Sequence, residues 1–282
     1  MNDFSKTAYF TICSLNYLPT AKILLETLQK NTVNEIFLIV CDKKTDLGEF
    51  LSDLNVTPIF VEDLSITDFN EFLLRYSILE LNTSIKPFVF NFLFNKGFEK
   101  VFYFDPDISI ESPLNKFEDI LDSYDALVTP HILSPYRDEM KPGLREISDS
   151  GIYNLGFLGL KSLNTETFLK WWMYNCQYYC YSDVESGLFT DQKFCNYLPV
   201  FIEKTKIYHG AEANIAYWNL HEREISEKNG VFLSNDREVL FFHFSGIVYD
   251  KNFKFKYLSK HENRYKSEVP NDLANKINKY LE

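Results

Sequence analysis

Apolar segments with the character of β-strands alternate with helical segments along the first hundred residues of this chain. The segment 35–41 is apolar almost throughout, as in parallel strands that helices cover on both faces. Such alternation predicts an α/β fold with a parallel sheet in this part of the chain. The predicted strands are 7–13, 35–41, 57–61 and 100–104, and the predicted helices are 18–30, 47–54, 67–79 and a fourth that Thr83 or Ser84 caps and Gly97 ends.

The second half of the chain is less regular. The polar segment 134–150 contains Pro135, Pro142 and Gly143, which predicts a long loop, and long loops in compact domains often act as lids. Because no linker composition or repeat is present, we predict one domain at residues 1–250 and a C-terminal basic and aromatic extension at 251–282. The other predicted strands are 125–129, 152–160 and 239–246, and the other predicted helices are 165–181, 188–198 and 270–281.

Composition excludes several classes of protein. The 282 residues are 45% hydrophobic, which is ample for a packed core and argues against disorder. A formal net charge of −11 disfavours nucleic-acid binding, because that affinity depends on lysine and arginine. The chain shows no signal-peptide pattern and no apolar run of transmembrane length, and its five cysteines favour reduced thiols in a cytoplasmic protein. Cys176 and Cys180 have no second Cys/His pair nearby, so we predict no zinc site.

Asp105 and Asp107 follow the apolar strand 100–104 and are separated by one proline. Residues i and i+2 of an extended chain point the same way, so both carboxylates can face one ligand. Pro106 cannot donate to a sheet ladder, which ends the strand there. Two oxygen ligands at the carboxyl edge of a parallel sheet suit Mg²⁺ or Mn²⁺ beside a substrate phosphate. The alternative is a solvated strand-to-turn junction.

Several short motifs follow one another in an order that resembles a known family. The segment 17–28 is like a first helix, Asn154-Leu-Gly156 is like an Asn-x-Gly strand, and Asp191-Gln192 is like an Asp-Gln pair. The segment 243–246 is like a His-x-x-Gly motif. With the acid pair, they resemble the nucleotide-sugar glycosyltransferases of the GT-A fold, most closely family eight (glycogenin and bacterial lipopolysaccharide galactosyltransferases). The resemblance implies a Rossmann-like single domain with a mixed central sheet and a C-terminal extension.

The resemblance implies a set of site residues. Asp105, Asp107 and His243 would hold Mn²⁺ (or Mg²⁺), with a core histidine as the alternative for His243. The donor, a UDP-sugar, would be bound by Thr11, Cys13, Tyr17, Lys86, Asp105, Asn154, Gly156, Asp191, Gly246 and Lys251. Surface positions are the alternatives for Lys86 and Lys251, and a plain turn residue is the alternative for Asn154. Tyr217 and Trp218 would form an acceptor platform, with a core position as the alternative.

The implied reaction transfers a hexose to a hydroxyl of a glycan or glycolipid acceptor, with retention of anomeric configuration. Gln192 would stabilise an oxocarbenium-like state, and Asp191 is the alternative nucleophile. An inverting transferase, a nucleotide-sugar hydrolase and a non-catalytic binding protein remain open. Basic residues of the segment 251–266 also suggest a peripheral contact with the inner face of a membrane, with a solvated face as the alternative.

Overall fold

The structure is a computed structural model that describes residues 6–250, 255–265 and 269–281. Within these residues the strands are β1 (Thr7–Cys13), β2 (Glu35–Val40), β3 (Thr57–Phe60), β4 (Lys100–Phe104), β5 (Ile108–Ile110), β6 (Ala126–Pro130), β7 (Tyr153–Lys161), β8 (Thr205–Ile207), β9 (Ile225–Lys228), β10 (Val231–Ser234), β11 (Arg237–Glu238), β12 (Phe241–His243), β13 (Val248–Tyr249) and β14 (Phe255–Tyr257). The α-helices are α1 (Leu18–Asn31), α2 (Phe69–Arg75), α3 (Ile78–Ser84), α4 (Lys86–Asn95), α5 (Asn115–Ser123), α6 (Leu144–Ser150), α7 (Glu166–Tyr178), α8 (Leu198–Phe201) and α9 (Asn271–Leu281).

Seven of the described strands form the central sheet, in the order β3-β2-β1-β4-β7-β6-β8. Strands β3, β2, β1 and β4 are parallel to one another, which confirms the parallel arrangement predicted for the first hundred residues. Strand β7 runs antiparallel to both β4 and β6, so the sheet as a whole is mixed. The α/β fold class with a mixed central sheet is therefore confirmed.

Side chains of β1 show how the sheet is buried on both faces. Ala8, Phe10 and Ile12 belong to one apolar cluster, and Tyr9 and Cys13 belong to the cluster on the other face. The ring of Phe10 meets Phe90 of α4 edge to face at 5.0 Å between centroids. Helix α1 covers the opposite face with its buried leucines. Burial on two faces explains why this strand is apolar without alternation.

Two of the predicted helices have different boundaries in the structure. In the predicted helix 47–54, residues 48–53 form successive turns instead, and the Asp46 carboxylate accepts a hydrogen bond from the Gly48 N–H at 2.8 Å. The predicted helix 67–79 is divided into α2 and α3 at Ser77. The Ser77 hydroxyl accepts from the Glu80 N–H at 3.4 Å, and the Glu80 carboxylate accepts from the Ser77 N–H at 2.9 Å. This capping box starts a new helix inside a continuous apolar pattern.

Three other predicted segments also differ. The predicted loop 134–150 contains α6, because Gly143 begins it and Glu146 accepts the Gly143 N–H at 2.9 Å. The predicted helix 188–198 is reduced to a 3-10 turn (Phe194–Tyr197) and α8. Thr190 has a φ of +46°, in the left-handed region, which prevents an α-helix from running through this position. The predicted strand 239–246 is shortened to β12.

The acid-bearing turn is held by a strand pair outside the central sheet. Strand β5 pairs antiparallel with β12, so Ile108 lies opposite His243. Helix α9, the predicted C-terminal helix, packs against this pair: Lys276 Nζ lies 2.7 Å from a Glu111 carboxylate oxygen and 3.2 Å from Ser109 Oγ. A third apolar cluster joins α9 to β12 through residues such as Ile277. None of the described helices is both long and apolar enough to cross a membrane.

Candidate metal centre and active site

Asp105, Asp107 and His243 converge at the carboxyl end of β4. Their potential ligand atoms all lie within 4.8 Å of one another. His243 Nε2 lies 3.1 Å from Asp107 Oδ1 and 3.6 Å from Asp105 Oδ2. Two carboxylates and one imidazole are a donor set that can hold a divalent cation. The sequence-predicted ligands, which are 136 residues apart in the case of Asp107 and His243, are therefore brought together.

Gly156 of β7 fixes the positions of two of these ligands. Its carbonyl accepts the Asp105 N–H at 2.8 Å. A Cβ added at Gly156 would lie 2.3 Å from His243 Cε1, so the imidazole occupies the space that a side chain would fill. Gly156 was predicted to bind the donor; in the structure its absent side chain makes room for the histidine. This is a close approach that only glycine permits.

His243 is buried, and its two ring nitrogens face different partners. Nε2 faces the carboxylates, and Nδ1 lies 3.1 Å from Asn214 Oδ1. Burial lowers the pKa of His243, but the negative charges of Asp107 and Asp105 outweigh it and raise the pKa above its ordinary value. The pocket is thus electrostatically suited to hold a positive charge at Nε2.

Lys86 neutralises the other side of the acid pair. It is 3% exposed, and its Nζ lies 3.0 Å from Asp191 Oδ2, 4.0 Å from Asp105 Oδ1 and 3.2 Å from the Leu155 carbonyl oxygen. The Tyr103 hydroxyl donates to Asp105, and the ammonium lies 4.5 Å from the centre of the Tyr103 ring. Burial lowers the pKa of Lys86, but Asp191 and Asp105 raise it above its ordinary value. The lysine is therefore an internal cation and not a surface residue.

Gln192 and Asn154 are both buried and already have partners within the protein. Gln192 Oε1 accepts the Leu155 N–H at 2.9 Å, and its Nε2 donates to the Ser150 carbonyl at 2.8 Å. Asn154 Oδ1 accepts the Gly156 N–H at 3.1 Å. These contacts tie both residues to the backbone of β7, Gln192 as the predicted catalytic residue and Asn154 as a predicted donor ligand. Among the described residues, each NH₂ group donates one of its two possible hydrogen bonds, Asn154 to His131 and Gln192 to Ser150.

The predicted donor residues of β1 differ in exposure. Thr11 and Cys13 are buried within the sheet, and Thr11 Oγ1 has no hydrogen-bond partner among the residues that the structure describes. Tyr17, just before α1, is 38% exposed. Burial and the charges of Asp107 and Asp105 raise the pKa of Tyr17. Of these three side chains, Tyr17 is the one that is exposed to solvent.

The remaining predicted residues lie near the C-terminal part of the chain. Gly246 has a φ of +68°, and its carbonyl accepts the Lys260 N–H at 2.9 Å. Lys251 lies outside the described residues. Trp218 is buried at 4% exposure and meets His243 edge to face at 5.1 Å between centroids, so its ring does not form an exposed platform. Tyr217 is partly buried against the third apolar cluster.

The predicted loop 134–150 is held in place at its start and near its middle. The Glu222 carboxylate accepts the backbone N–H groups of Leu133 and Ser134 at 2.5–3.0 Å. Arg264 donates to both Asp138 oxygens at 2.7 and 2.9 Å, and to the Met140 carbonyl at 3.2 Å. Arg264 is one of the basic residues of the segment 251–266, for which a membrane contact is predicted. Its side chain is 7% exposed and is paired with Asp138 within the protein.

Sequence analysis missed three residues of this site. Tyr103 lies two residues before Asp105, so the period of a strand could have placed its hydroxyl on the same face. His131 and Asn214 lie in irregular segments where no periodicity indicates direction. Asn214 adopts a φ of +53°, a conformation in which asparagine is common, but the sequence does not show that its amide reaches His243.

Comparisons with known proteins agree on the fold. No protein-family profile matches the chain. The Bacillus subtilis protein YfnF, which is described as uncharacterized, is 27% identical over 254 residues, covering 85% of this chain and 81% of YfnF. The glycosyltransferase GlyE of Streptococcus pneumoniae superposes with a TM-score of 0.55 at 15% identity, covering 98% of this chain. The galactosyltransferase LgtC, solved with donor and acceptor sugar analogues, superposes with a TM-score of 0.52 at 13% identity.

The lengths of these relatives differ from that of this chain. The alignment covers 96% of this chain and 95% of LgtC, but 60% of GlyE and 41% of the bifunctional glycosyltransferase WbbM. The chain therefore spans less than two thirds of several glycosyltransferases that it matches. The superpositions on GlyE and LgtC show that the chain has the GT-A type of α/β fold.

Proposed function

We propose that this protein is a metal-dependent glycosyltransferase that moves a hexose from a UDP-sugar to a hydroxyl of a glycan or glycolipid, as in the synthesis of cell-surface polysaccharides. The observation that carries the proposal is the cluster of Asp105, Asp107 and His243 at the carboxyl end of β4. In open α/β sheets, ligands bind at this edge. The order of motifs that resembles family eight supports the same reaction.

The residues present fit a divalent cation. The two carboxylates supply oxygen ligands, and His243 keeps Nε2 available because Nδ1 faces the Asn214 amide oxygen at 3.1 Å. Oxygen ligands with one imidazole suit Mn²⁺, whereas Mg²⁺ is bound almost entirely by oxygen. When bound, the ion supplies Lewis-acid stabilisation of the negative charge that develops on the leaving diphosphate.

The protein's own residues would orient the donor. Lys86 balances the charge of Asp105 and Asp191, so the two carboxylates can lie close together in a buried site. Tyr17 would contact the uridine, and the backbone at Gly246 would approach the phosphates, with Lys251 adding a cation. Asp191, 1% exposed and paired with Lys86, would orient a sugar hydroxyl. Tyr217 would lie nearer the acceptor than the buried Trp218.

Retention of anomeric configuration is part of the proposal. A double displacement needs a carboxylate nucleophile beneath the sugar, and Gln192 is an amide. Asp191 is already paired with Lys86 at 3.0 Å, which makes it a poor nucleophile. We therefore propose attack on the same face as the leaving group, with the free N–H of Gln192 directed to the sugar. An NMR spectrum of the product anomer tests this, and an inverted product would contradict it.

The central test is Asp107→Asn. We expect Mn²⁺-dependent sugar transfer to fall by about 100-fold or more, because a metal ion contributes several kcal/mol to such transition states. Asp53→Asn, at an exposed position far along the chain from the cluster, is the matched control and should retain wild-type turnover. Undiminished turnover in Asp107→Asn would contradict the metal assignment. Donor consumption that no acceptor stimulates would instead indicate a hydrolase, and wild-type protein that binds donor without turnover would indicate a binding protein.

A further inference from the structure

Asn214 connects His243 of the candidate metal centre to a buried series of side-chain hydrogen bonds. Its side chain has no exposure to solvent. Its Oδ1 lies 3.1 Å from His243 Nδ1, and its Nδ2 lies 2.8 Å from Thr129 Oγ1 and 3.0 Å from Asn154 Oδ1. All three hydrogen bonds are to side chains of other elements, so this amide is fixed in position by its neighbours.

One backbone N–H determines which atom is the donor and which is the acceptor in every hydrogen bond of this series. The Gly156 N–H can only donate, and it lies 3.1 Å from Asn154 Oδ1, so that atom is an acceptor. Asn214 must then present its NH₂ group to Asn154 and its oxygen to His243. An amide oxygen cannot donate, so His243 Nδ1 must carry the proton. The lone pair of a neutral His243 is therefore on Nε2, facing Asp105 and Asp107.

The hydrogen bonds at the other end of the series, around His131, agree with this assignment of donors and acceptors. Asn154 Nδ2 lies 3.3 Å from His131 Nε2, and His131 Nδ1 lies 3.3 Å from the Ile152 carbonyl oxygen. A carbonyl only accepts, so His131 carries its proton on Nδ1 and accepts at Nε2 from Asn154. The assigned donors and acceptors are therefore consistent from the Ile152 carbonyl to the imidazole of His243.

We propose that Asn214 is a positioning residue that fixes the tautomer and ring orientation of His243, and thereby makes this centre prefer Mn²⁺ over Mg²⁺. The inference rests on the proposed metal-dependent function and names a determinant of its ion selectivity. Partners of a metal-binding histidine's second nitrogen set both its tautomer and its basicity. Because imidazole matters more to Mn²⁺ than to Mg²⁺, a misplaced His243 weakens Mn²⁺ binding selectively.

The backbone at Asn214 limits the variants that can test this. Its φ of +53° favours asparagine, aspartate or glycine and would strain other residues. Asn214→Gly removes the amide and tolerates the backbone. Thr129→Val removes one partner of the Asn214 NH₂ group and leaves its oxygen facing His243, so it is the matched control.

The experiment measures binding of Mn²⁺ alone and of Mg²⁺ alone to the full chain, by titration calorimetry and, for Mn²⁺, by the EPR signal of the free ion. We expect Asn214→Gly to weaken Mn²⁺ binding by about 10- to 100-fold and Mg²⁺ binding much less. Thr129→Val should change Mn²⁺ affinity by about tenfold at most, because it loses one neutral hydrogen bond. Circular dichroism melting of each variant establishes that it is folded.

Equal losses of Mn²⁺ and Mg²⁺ affinity in Asn214→Gly would overturn the proposal, because a merely structural role affects both ions alike. Unchanged Mn²⁺ affinity in that variant would also overturn it. Asp107→Asn separates this result from failure of the proposed function. If Asp107→Asn binds Mn²⁺ as the wild type does, the metal centre itself is wrong; if it does not, only the role of Asn214 is in question.

Discussion

The two sides of the acid pair are held by different kinds of interaction. On one side, Lys86 lies between Asp105 and Asp191 and balances their charge. On the other side, His243 and Asn214 begin a chain of neutral hydrogen bonds. Charge attraction depends weakly on angle, whereas a hydrogen bond has a fixed donor and a preferred direction. The charged side can therefore balance the negative charge of the carboxylates, whereas the neutral side can fix the orientation of the His243 ring.

The largest expected effect comes from breaking the charged side with Lys86→Met. This substitution keeps an unbranched side chain but leaves Asp191 as a buried, unpaired charge. We expect the free energy of unfolding in urea to fall by about 3–5 kcal/mol. The double variant Lys86→Met, Asp191→Asn removes the orphaned charge and should recover at least half of the loss.

An exposed ion pair provides the control for that experiment. Lys44 lies 2.7 Å from Asp63 Oδ1, but both side chains are largely in solvent. We expect Lys44→Met to leave the urea midpoint unchanged, since exposed pairs contribute little. If Lys86→Met were as stable as Lys44→Met, the charged side would not depend on the buried lysine, and the contrast between the two sides would disappear.

The neutral side is broken more mildly by Gly156→Ala. The new Cβ would meet the His243 ring at 2.3 Å, so the imidazole must move. We expect a loss of about 1–3 kcal/mol in the free energy of unfolding, as for other overpacked cores, together with weaker Mn²⁺ binding.

Gly159→Ala, on the same strand, is the matched control for this overpacking. Its Cβ would lie 2.7 Å from the Phe102 ring, and its nearest neighbours belong to Phe102 and Leu121 and not to the candidate site. It should be destabilised by a similar amount but should bind Mn²⁺ normally in calorimetry. Equal loss of Mn²⁺ binding in both variants would show that stability, and not the position of His243, controls the site.

The smallest effect concerns pH and sharpens the description of the neutral side. Burial lowers the pKa of His131 from 6.5 to about 4, so the folded protein takes up this proton less readily than the unfolded chain does. Neutral His131 therefore contributes fully to the free energy of unfolding above pH 6.5. This contribution is lost as the pH falls towards 4, and the loss is about 1 kcal/mol at pH 5.5. His131→Gln should flatten this part of the stability profile. An NMR titration midpoint of His131 above pH 6 would contradict a neutral His131 in this series of hydrogen bonds.

Much of the fold could be predicted from the sequence because apolar periodicity reports burial directly. Strand β4 has the predicted bounds, and β1 also matches its prediction. The division at Ser77 was missed because the apolar pattern continues across it, although Ser77 and Glu80 have the spacing of a capping box.

The candidate site was predictable to a different extent. The strand period predicted that Asp105 and Asp107 share a direction, and the resemblance to family eight suggested His243 as their companion. Asn214 could not be found in this way, because its role depends on contacts with Thr129 and Asn154, which are 85 and 60 residues away in sequence. Local propensity carries no information about such pairs. The roles of the predicted donor and acceptor residues remain predictions.

The pairing of β5 with β12 also has a consequence during protein synthesis. It joins Ile108 to His243, which a ribosome adding 5–20 residues per second would produce roughly 7–27 seconds apart. During that interval the strand that follows the acid pair lacks its partner, and its edge is open to other chains. The emerging polypeptide must therefore keep this edge from pairing wrongly before β12 arrives. The third side chain of the Asp105, Asp107 and His243 cluster is therefore synthesised well after the other two.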